Sequence, residues 1–230
     1  MNTEDLLKIA QSSKNRFDMW SSIINALQIK SVAEVGVFRG EFAARILEMS
    51  SNIDQYLMVD PWRKLNNWDK PYNKEDNHFE EIYREAMSKT EFAKDKITVL
   101  RETTSEAVKH IPDKSLDFAY IDGDHTLRGI TIDLIKMLPK IKLKGLIVGD
   151  DFNKNTMNSH MGFEPTMVCP YAMYFAEAMN LPFVCLPFNQ FLIVNDPSQG
   201  YRLIDFVGGY KDLSLKKMLL ARQQVEGQHK

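Results

Sequence analysis

Leu116 to Phe152, LDFAYIDGDHTLRGITIDLIKMLPKIKLKGLIVGDDF, reads as strand, acidic turn, helix, strand, acidic turn. Leu116 to Ile121 is short, apolar and aromatic, and Gly145 to Val148 is a second buried-type strand. Between them, Leu127 to Leu138 carries Ile130, Leu134, Ile135 and Leu138 at helical spacing. The stretch is therefore a βαβ unit with a right-handed crossover. If its parallel strands are neighbours, their carboxyl ends lie about 5 Å apart. Asp122, Asp124 and His125 then face Asp150 and Asp151. Open α/β sheets bind ligands outside those carboxyl ends, so the acids stand where chemistry is expected.

The flanking sequence repeats the pattern. Asn15 to Leu27 spaces Phe17, Trp20, Ile23, Ile24 and Leu27 as an amphipathic helix, followed by a strand at Ser31 to Val35, a helix at Glu41 to Met49 and a strand at Gln55 to Val59. Trp62 to Asn77 is polar, aromatic and aperiodic, the character of a long functional loop, with Trp62, Trp68 and Tyr72 as lid aromatics or loop anchors. A helix at Phe79 to Met87, a strand at Ile97 to Leu100 and a short helix at Ser105 to His110 lead into the opening stretch. After a second irregular segment, Asn153 to Thr166, come a helix from Tyr171 to Met179, strands at Phe183 to Leu186 and Phe191 to Val194 that read as an antiparallel hairpin, and a terminal helix at Leu213 to Gln224. His160, Met161 and Phe163 lie on the acceptor side of that second segment or merely shape it. The expectation is one α/β, Rossmann-like, doubly wound domain with a mostly parallel seven-stranded sheet, an antiparallel last strand and helices on both faces. It comprises an N-terminal helical segment (1–30), a core (31–195) and a C-terminal extension (196–230).

With 230 residues and 44% hydrophobic content, the chain can bury one sizeable core. A formal charge of -2 gives no electrostatic drive toward nucleic acid or anionic membrane, so small molecules are the expected partners. Lys136, Lys140, Lys142 and Lys144 cluster at the opposite edge from the acids and read as solvated partners of a helix terminus. Cys169 and Cys185 form no zinc or redox spacing and fit a reducing cytoplasm. The first residues, MNTEDLLKIA, are acidic where a signal peptide is basic, and no run reaches transmembrane length. The N-terminal helix and the terminal segment offer surfaces for a partner subunit.

Glu34-Val35-Gly36-Val37-Phe38-Arg39-Gly40 follows the first strand and opens a helix, where glycine permits a tight turn and close approach of a ligand. The spacing departs from the dinucleotide fingerprint GxGxxG, which argues against a nicotinamide dehydrogenase, and an acid before the turn disfavours a pyrophosphate. Asp60, ending the second strand, has the position from which a carboxylate takes ribose hydroxyls. The two acids point to an adenosine carrying positive charge. Glu34 as an ordinary surface acid is the plainer alternative.

These residues, with the YIDGDH to GDD block, resemble class I S-adenosylmethionine-dependent methyltransferases. More narrowly they resemble the small metal-dependent O-methyltransferases that include macrolide-sugar and catechol-type enzymes. The likeness spans Val32 to Val194 and is strongest from Tyr120 to Asp151. It implies that Glu34 and Gly36 approach the amino-acid portion of S-adenosylmethionine, that Asp60 binds its ribose and that Thr104 or Ser105 lies near adenine, with Gly40 and Asp122 also among the cofactor-binding residues. Phe38 stands where the family pattern has a third glycine.

Three carboxylates converging from adjacent strand ends, Asp122, Asp150 and Asp151, suit a hard divalent cation such as magnesium. The resemblance implies the same set, although the macrolide-sugar enzymes carry Glu at the position of Asp150. A nearby imidazole could take a proton from a substrate hydroxyl, and His125 is that residue, matching the histidine base of the macrolide-sugar enzymes. The plain alternatives are that Asp124, His125 and Thr126 turn the chain and cap the next helix, and that Asp150 and Asp151 are solvated turn acids. The reading that follows is a cytoplasmic, magnesium-dependent O-methyltransferase for a small hydroxylated acceptor, of sugar or natural-product type. A non-catalytic protein binding S-adenosylmethionine or a nucleoside on the same fold is the alternative, and a metal hydrolase ranks last.

Overall fold

The computed structural model describes residues 2–66, 68, 70–155, 157–158, 164–212, 214, 215 and 217. Its elements are α1 (Thr3–Ser12), α2 (Arg16–Ala26), β1 (Ser31–Val35), α3 (Glu41–Met49), β2 (Gln55–Val59), α4 (Asp76–Thr90), β3 (Ile97–Leu100), α5 (Thr104–Ala107), β4 (Leu116–Ile121), α6 (Leu127–Met137), β5 (Ile141–Gly149), the short β6 (Met157–Asn158) and β7 (Glu164–Pro165), α7 (Val168–Ala178), β8 (Phe183–Leu186), β9 (Gln190–Val194) and β10 (Leu203–Asp205). The main sheet has the order β10-β8-β9-β5-β4-β1-β2-β3, and β6 pairs with β7 in a separate two-stranded sheet. Within the main sheet β9 runs antiparallel to both neighbours and every other pairing is parallel. The seven expected strands are thus present with one antiparallel member, and β10, from the C-terminal extension, adds an eighth at the edge.

Strand order reverses at β1, whose neighbours are β2 and β4, and a doubly wound sheet opens its crevice at such a switch point. One face of the sheet packs α5, α6 and α7 over Ala33, Val35, Ala119, Ile121 and Ile147. The other packs α1 to α4 over Val32, Tyr56, Met58, Phe118 and Tyr120. Trp20 of α2 ties that second layer down, edge-on to Phe118 at 5.6 Å, with its Nε1 donating to Gln190 at 2.7 Å.

Most boundaries follow local chemistry. Asn15 caps α2 by accepting from the Asp18 amide, and Thr126 caps α6 by accepting from Gly129. Two differences from the sequence reading are instructive. Helix α7 begins at Val168, ahead of Pro170, because a proline in the first turn lacks only an N–H that has no intrahelical partner. In α6, Ile135 is exposed, whereas Asp133 is buried with Ile130, Leu134 and Met137. Spacings of three, four and seven from Ile130 put Asp133 on the inner face.

The terminal helix expected at Leu213 to Gln224 falls largely outside the described residues, and His160, Met161 and Phe163 lie wholly outside them. No helix among the described residues is long and apolar enough to cross a membrane.

Candidate functional site

The strand ends are laced together by amides just beyond the ladder. Gly36 N–H donates to Val59 at 2.9 Å, Asp60 to Leu100 at 3.2 Å, Asp122 to Val35 at 2.8 Å and Asp150 to Ile121 at 3.1 Å. These bonds set Gly36, Asp60, Asp122 and Asp150 in one row along the carboxyl edge. A cavity of about 680 Å³ opens over part of that edge, lined by Glu34, Gly36, Asp60, Thr104, Ser105, Asp122 and His125 among others. Its volume falls in the range of small-molecule sites.

Gly36, at φ +84°, turns the chain against β4 so closely that a Cβ there would lie 2.1 Å from the Asp122 carbonyl oxygen. Gly40, at φ +72°, caps α3, and its Cβ would meet the Ala86 Cα of α4 at 2.9 Å. Phe38, where the resemblance has a third glycine, adopts φ +51°, a left-handed conformation for a residue with a side chain. Its ring packs edge-on to Tyr72 at 5.1 Å, and its carbonyl accepts from Trp62 Nε1 at 2.8 Å. Trp62 is buried and anchors the long loop, while Trp68 and Tyr72 line the cavity as lid residues would.

Asp60 holds the loop from beneath. Its Oδ2 accepts from the Val37 and Phe38 amides at 3.0 and 2.9 Å and its Oδ1 from Trp62 at 2.8 Å. Burial raises its pKa against the pull of these bonds. Glu34 is only 1% exposed, which rules out the surface-acid reading, and it accepts from the Tyr56 hydroxyl at 2.6 Å. Burial pushes its carboxyl well up, Tyr56 pulls the other way, and the charges of Asp122 and Asp60 push further. A carboxyl so placed gains most from a positively charged ligand.

Asp122, His125 and Asp151 bring one ligand atom each within 4.8 Å of one another. His125 Nδ1 meets Asp151 Oδ2 at 2.8 Å, and Nε2 lies 3.4 Å from Asp122 Oδ1 without a well-directed hydrogen bond. Burial disfavours the imidazolium, but the two carboxylates outweigh it and hold the His125 pKa up, at about 10. For Asp151, burial works upward and the imidazolium wins, leaving the carboxyl lowered. Asp151 itself has φ +56°, a left-handed turn for a residue with a side chain.

Asp150, expected in the ligand set, is engaged elsewhere. Its Oδ2 pairs with Arg16 of α2, and its Oδ1 accepts from the fully buried Gln190 at 2.6 Å and from the Asp151 amide at 2.8 Å. The described residues therefore gather two carboxylates and an imidazole, with an unpartnered buried nitrogen among them, rather than three carboxylates. The two carboxylates still suit a divalent cation, with the imidazole beside them. Asp124 fulfils the plain reading, accepting from the Thr126 amide and hydroxyl at 3.1 and 3.0 Å to shape the turn. Lys140 and Lys142 pair with Asp113 and Asp117, remote from the site as expected.

On the other side of the cavity Thr104 and Ser105 line the wall, but the Thr104 hydroxyl is committed to Asp133 Oδ1 at 2.5 Å. Glu102, Asp133 and Arg16 also line the cavity and were not singled out from sequence. A signal existed for Glu102, an acid just past the third strand; Asp133 needed the phase of α6, and Arg16 needed the tertiary fold.

Asp133 is 5% exposed, and burial raises its pKa to about 7 against the Thr104 bond. Between the ordinary carboxylate range and about 7 the folded chain keeps a proton that the unfolded chain releases. Stability from this group is full below the unfolded value and is lost as pH rises through about 7. The rise caps the effect at about 4 kcal/mol. Asp133→Asn is expected to be more stable than the wild type at pH 8, with the gap narrowing by pH 5 in urea denaturation. An equal gap at both pH values would show that Asp133 does not titrate this way.

A family model described as a methyltransferase domain matches residues 33–152. No curated protein matches the chain. Among solved structures, a Staphylococcus aureus protein designated a candidate caffeoyl-CoA O-methyltransferase is similar at 15% identity and a TM-score of 0.57, over 84% of this chain and 91% of that one. Cofactor-bound Rv0187 from MTB is similar at 11% identity and 0.56, over 84% and 89%. An O-methyltransferase from Bacillus cereus in complex with SAH is similar at 14% identity and 0.55, over 83% and 88%.

Proposed function

The chain belongs to this methyltransferase-domain family, and from that premise we propose that it transfers the methyl group of S-adenosylmethionine to a hydroxyl oxygen of a small molecule, with the help of a divalent cation. The observation that carries the reading is the Asp122, His125 and Asp151 cluster at the carboxyl ends of β4 and β5, beside the cavity bounded by the glycine turn. Bound there, S-adenosylmethionine supplies an electrophilic methyl on a sulfonium. Glu34, Gly36, Gly40, Asp60, Thr104, Ser105 and Asp122 form the cofactor's side of the site. The buried acids Glu34 and Asp60 complement its positive charge and ribose, while the lid residues Trp68 and Tyr72 exclude water.

His125 is the proposed base. Asp151 fixes Nδ1, which leaves Nε2 to receive the acceptor's proton, the arrangement of an oriented base. As it stands the imidazole is held protonated by its two carboxylates. A divalent cation held by Asp122 and Asp151 would take up much of their charge, so that His125, still oriented at Nδ1 by Asp151, would serve as neutral imidazole. The proton passes to Nε2 as the oxygen–carbon bond forms and the carbon–sulfur bond breaks, giving a methyl ether and S-adenosylhomocysteine.

The test is incubation with S-adenosylmethionine and a panel of hydroxylated sugars and phenols, with magnesium, with manganese and with EDTA, read by mass spectrometry. Methyl ethers that appear with metal and vanish with EDTA are expected. Methylation at nitrogen, sulfur or carbon only would overturn the oxygen assignment, and turnover indifferent to EDTA would overturn the cation.

A further inference from the structure

S-adenosylmethionine is not only a cation: its amino-acid end also carries a carboxylate. That group must enter a site edged by Glu34, Asp60, Asp122, Asp150 and Asp151, which repels it unless a cation is in place. Besides the His125 imidazolium, which its two carboxylates already engage, five cationic side chains line the cavity: Arg16, Arg39, Arg63, Lys70 and Arg128. Arg39 pairs with Glu85, Arg63 with Glu106 at 2.9 Å and with the Arg101 carbonyl at 3.0 Å, and Lys70 lies 3.8 Å from Asp124. Arg128 is an exposed residue in the first turn of α6.

Arg16 differs in place and in engagement. It projects from the N-terminal helical segment to the strand ends, where its Nη1 pairs with Asp150 and lies 3.8 Å from Asp122 Oδ2, and it is close enough to Glu34 to act on its charge. This is the end of the cavity bounded by Gly36. Nε and Nη2 have no acceptor among the described residues, so part of the planar donor fork remains for a ligand. Arg16 is also the first residue of α2, an eleven-residue helix whose positive end favours an anion beside the guanidinium.

We infer that Arg16 is the cofactor-carboxylate residue of this chain, holding the α-carboxylate of S-adenosylmethionine while Glu34 and Asp122 face its positive groups. The inference rests on the cofactor reading above. It makes the N-terminal segment part of the binding site. Arg16 is then shared between Asp150 and the ligand, so the pairing that withdraws Asp150 from the cation cluster also presents the guanidinium to the cofactor.

The experiment is calorimetry on the full chain, without added metal, using S-adenosylhomocysteine, its decarboxylated analogue and 5′-methylthioadenosine. The analogue lacks only the carboxylate, and methylthioadenosine lacks the whole amino-acid end. The wild type should bind S-adenosylhomocysteine tightest. Arg16→Met should weaken it about ten- to a hundredfold, the worth of a charge-assisted hydrogen-bonded pair, with the other two ligands changed less than about threefold. Arg16→Lys, which keeps the charge and loses the fork, should fall between. Asp150→Asn should hold or improve S-adenosylhomocysteine binding, since it leaves Arg16 to the ligand. Equal weakening of all three ligands by Arg16→Met, no weakening of any, or loss of the carboxylate preference in Asp150→Asn would each overturn the inference. A wild-type chain that binds none of the three would overturn the cofactor reading itself, and this inference with it.

Discussion

Gly36→Ala is expected to cost about 4 kcal/mol of stability and to remove methyl transfer almost entirely. Two effects add. A side chain at φ +84° costs about 1–2 kcal/mol, because the Cβ crowds its own backbone. The second is the neighbour: the new carbon would lie 2.1 Å from the Asp122 carbonyl oxygen and 2.6 Å from the Gly123 Cα, both backbone atoms with no rotamer to yield. Forcing such atoms apart costs about 1–3 kcal/mol more. The strain falls on Asp122, whose amide donates to Val35 and whose carboxylate faces His125. A displacement near 1 Å at reacting groups costs on the order of a hundredfold in rate. Gly40→Ala is the control, since its Cβ meets Ala86 at 2.9 Å, a milder clash against a helix that can shift. It should destabilise less and spare the Asp122 geometry. Guanidinium chloride denaturation and S-adenosylhomocysteine affinity of both variants decide the matter; equal losses would mean that the approach to β4 is not what demands glycine at 36.

The same contact explains how much of the site could be read from sequence. An apolar run followed by a glycine turn and a helix fixes where a parallel strand ends, so β1, α3, β2 and β4 begin and end where the pattern puts them. Residues at the last positions of those strands or just past them fall at the carboxyl edge whatever their side chains do, and so Glu34 within β1, Asp60 and Asp122, with Asp150 after β5, were legible as neighbours. Side-chain direction was not. Asp150 turns to Arg16 and Gln190, one from the N-terminal helix and one from β9, and neither partner leaves a local trace near Asp150. Asp133 escaped for a related reason: Ile135 suggested a different inner face for α6, and the position of Thr104 against it is a tertiary fact. Strand β10 has three half-buried residues and no long apolar run, too little periodicity to stand out before β8 is in place to pair with it.

His125→Ala should lower kcat by a factor of about 10² to 10⁴, the usual contribution of a positioned general base, while changing S-adenosylhomocysteine affinity only a few-fold. The separation follows from placement. His125 is held between Asp122 and Asp151, on the β4 and β5 side of the cavity, whereas the glycine turn and Asp60, the proposed cofactor wall, follow β1 and β2. Loss of the imidazole leaves that second wall intact. Alanine alone does not separate a base from a charge that merely holds two carboxylates together. His125→Gln does, because glutamine can bond to Asp151 and cannot accept a proton. Asp151→Asn supplies the complementary case: it keeps the imidazole and removes both the charge that orients Nδ1 and a proposed cation ligand, so at saturating metal its rate should lie between those of the wild type and His125→Ala. Single-turnover rates at saturating cofactor read the chemical step directly. A His125→Gln enzyme that turns over as fast as the wild type would leave His125 as a structural bridge, and the proton would need another acceptor. If instead both His125 variants lose rate in parallel while Asp151→Asn loses less, the proton is taken at Nε2, the nitrogen that the described residues leave without a directed partner.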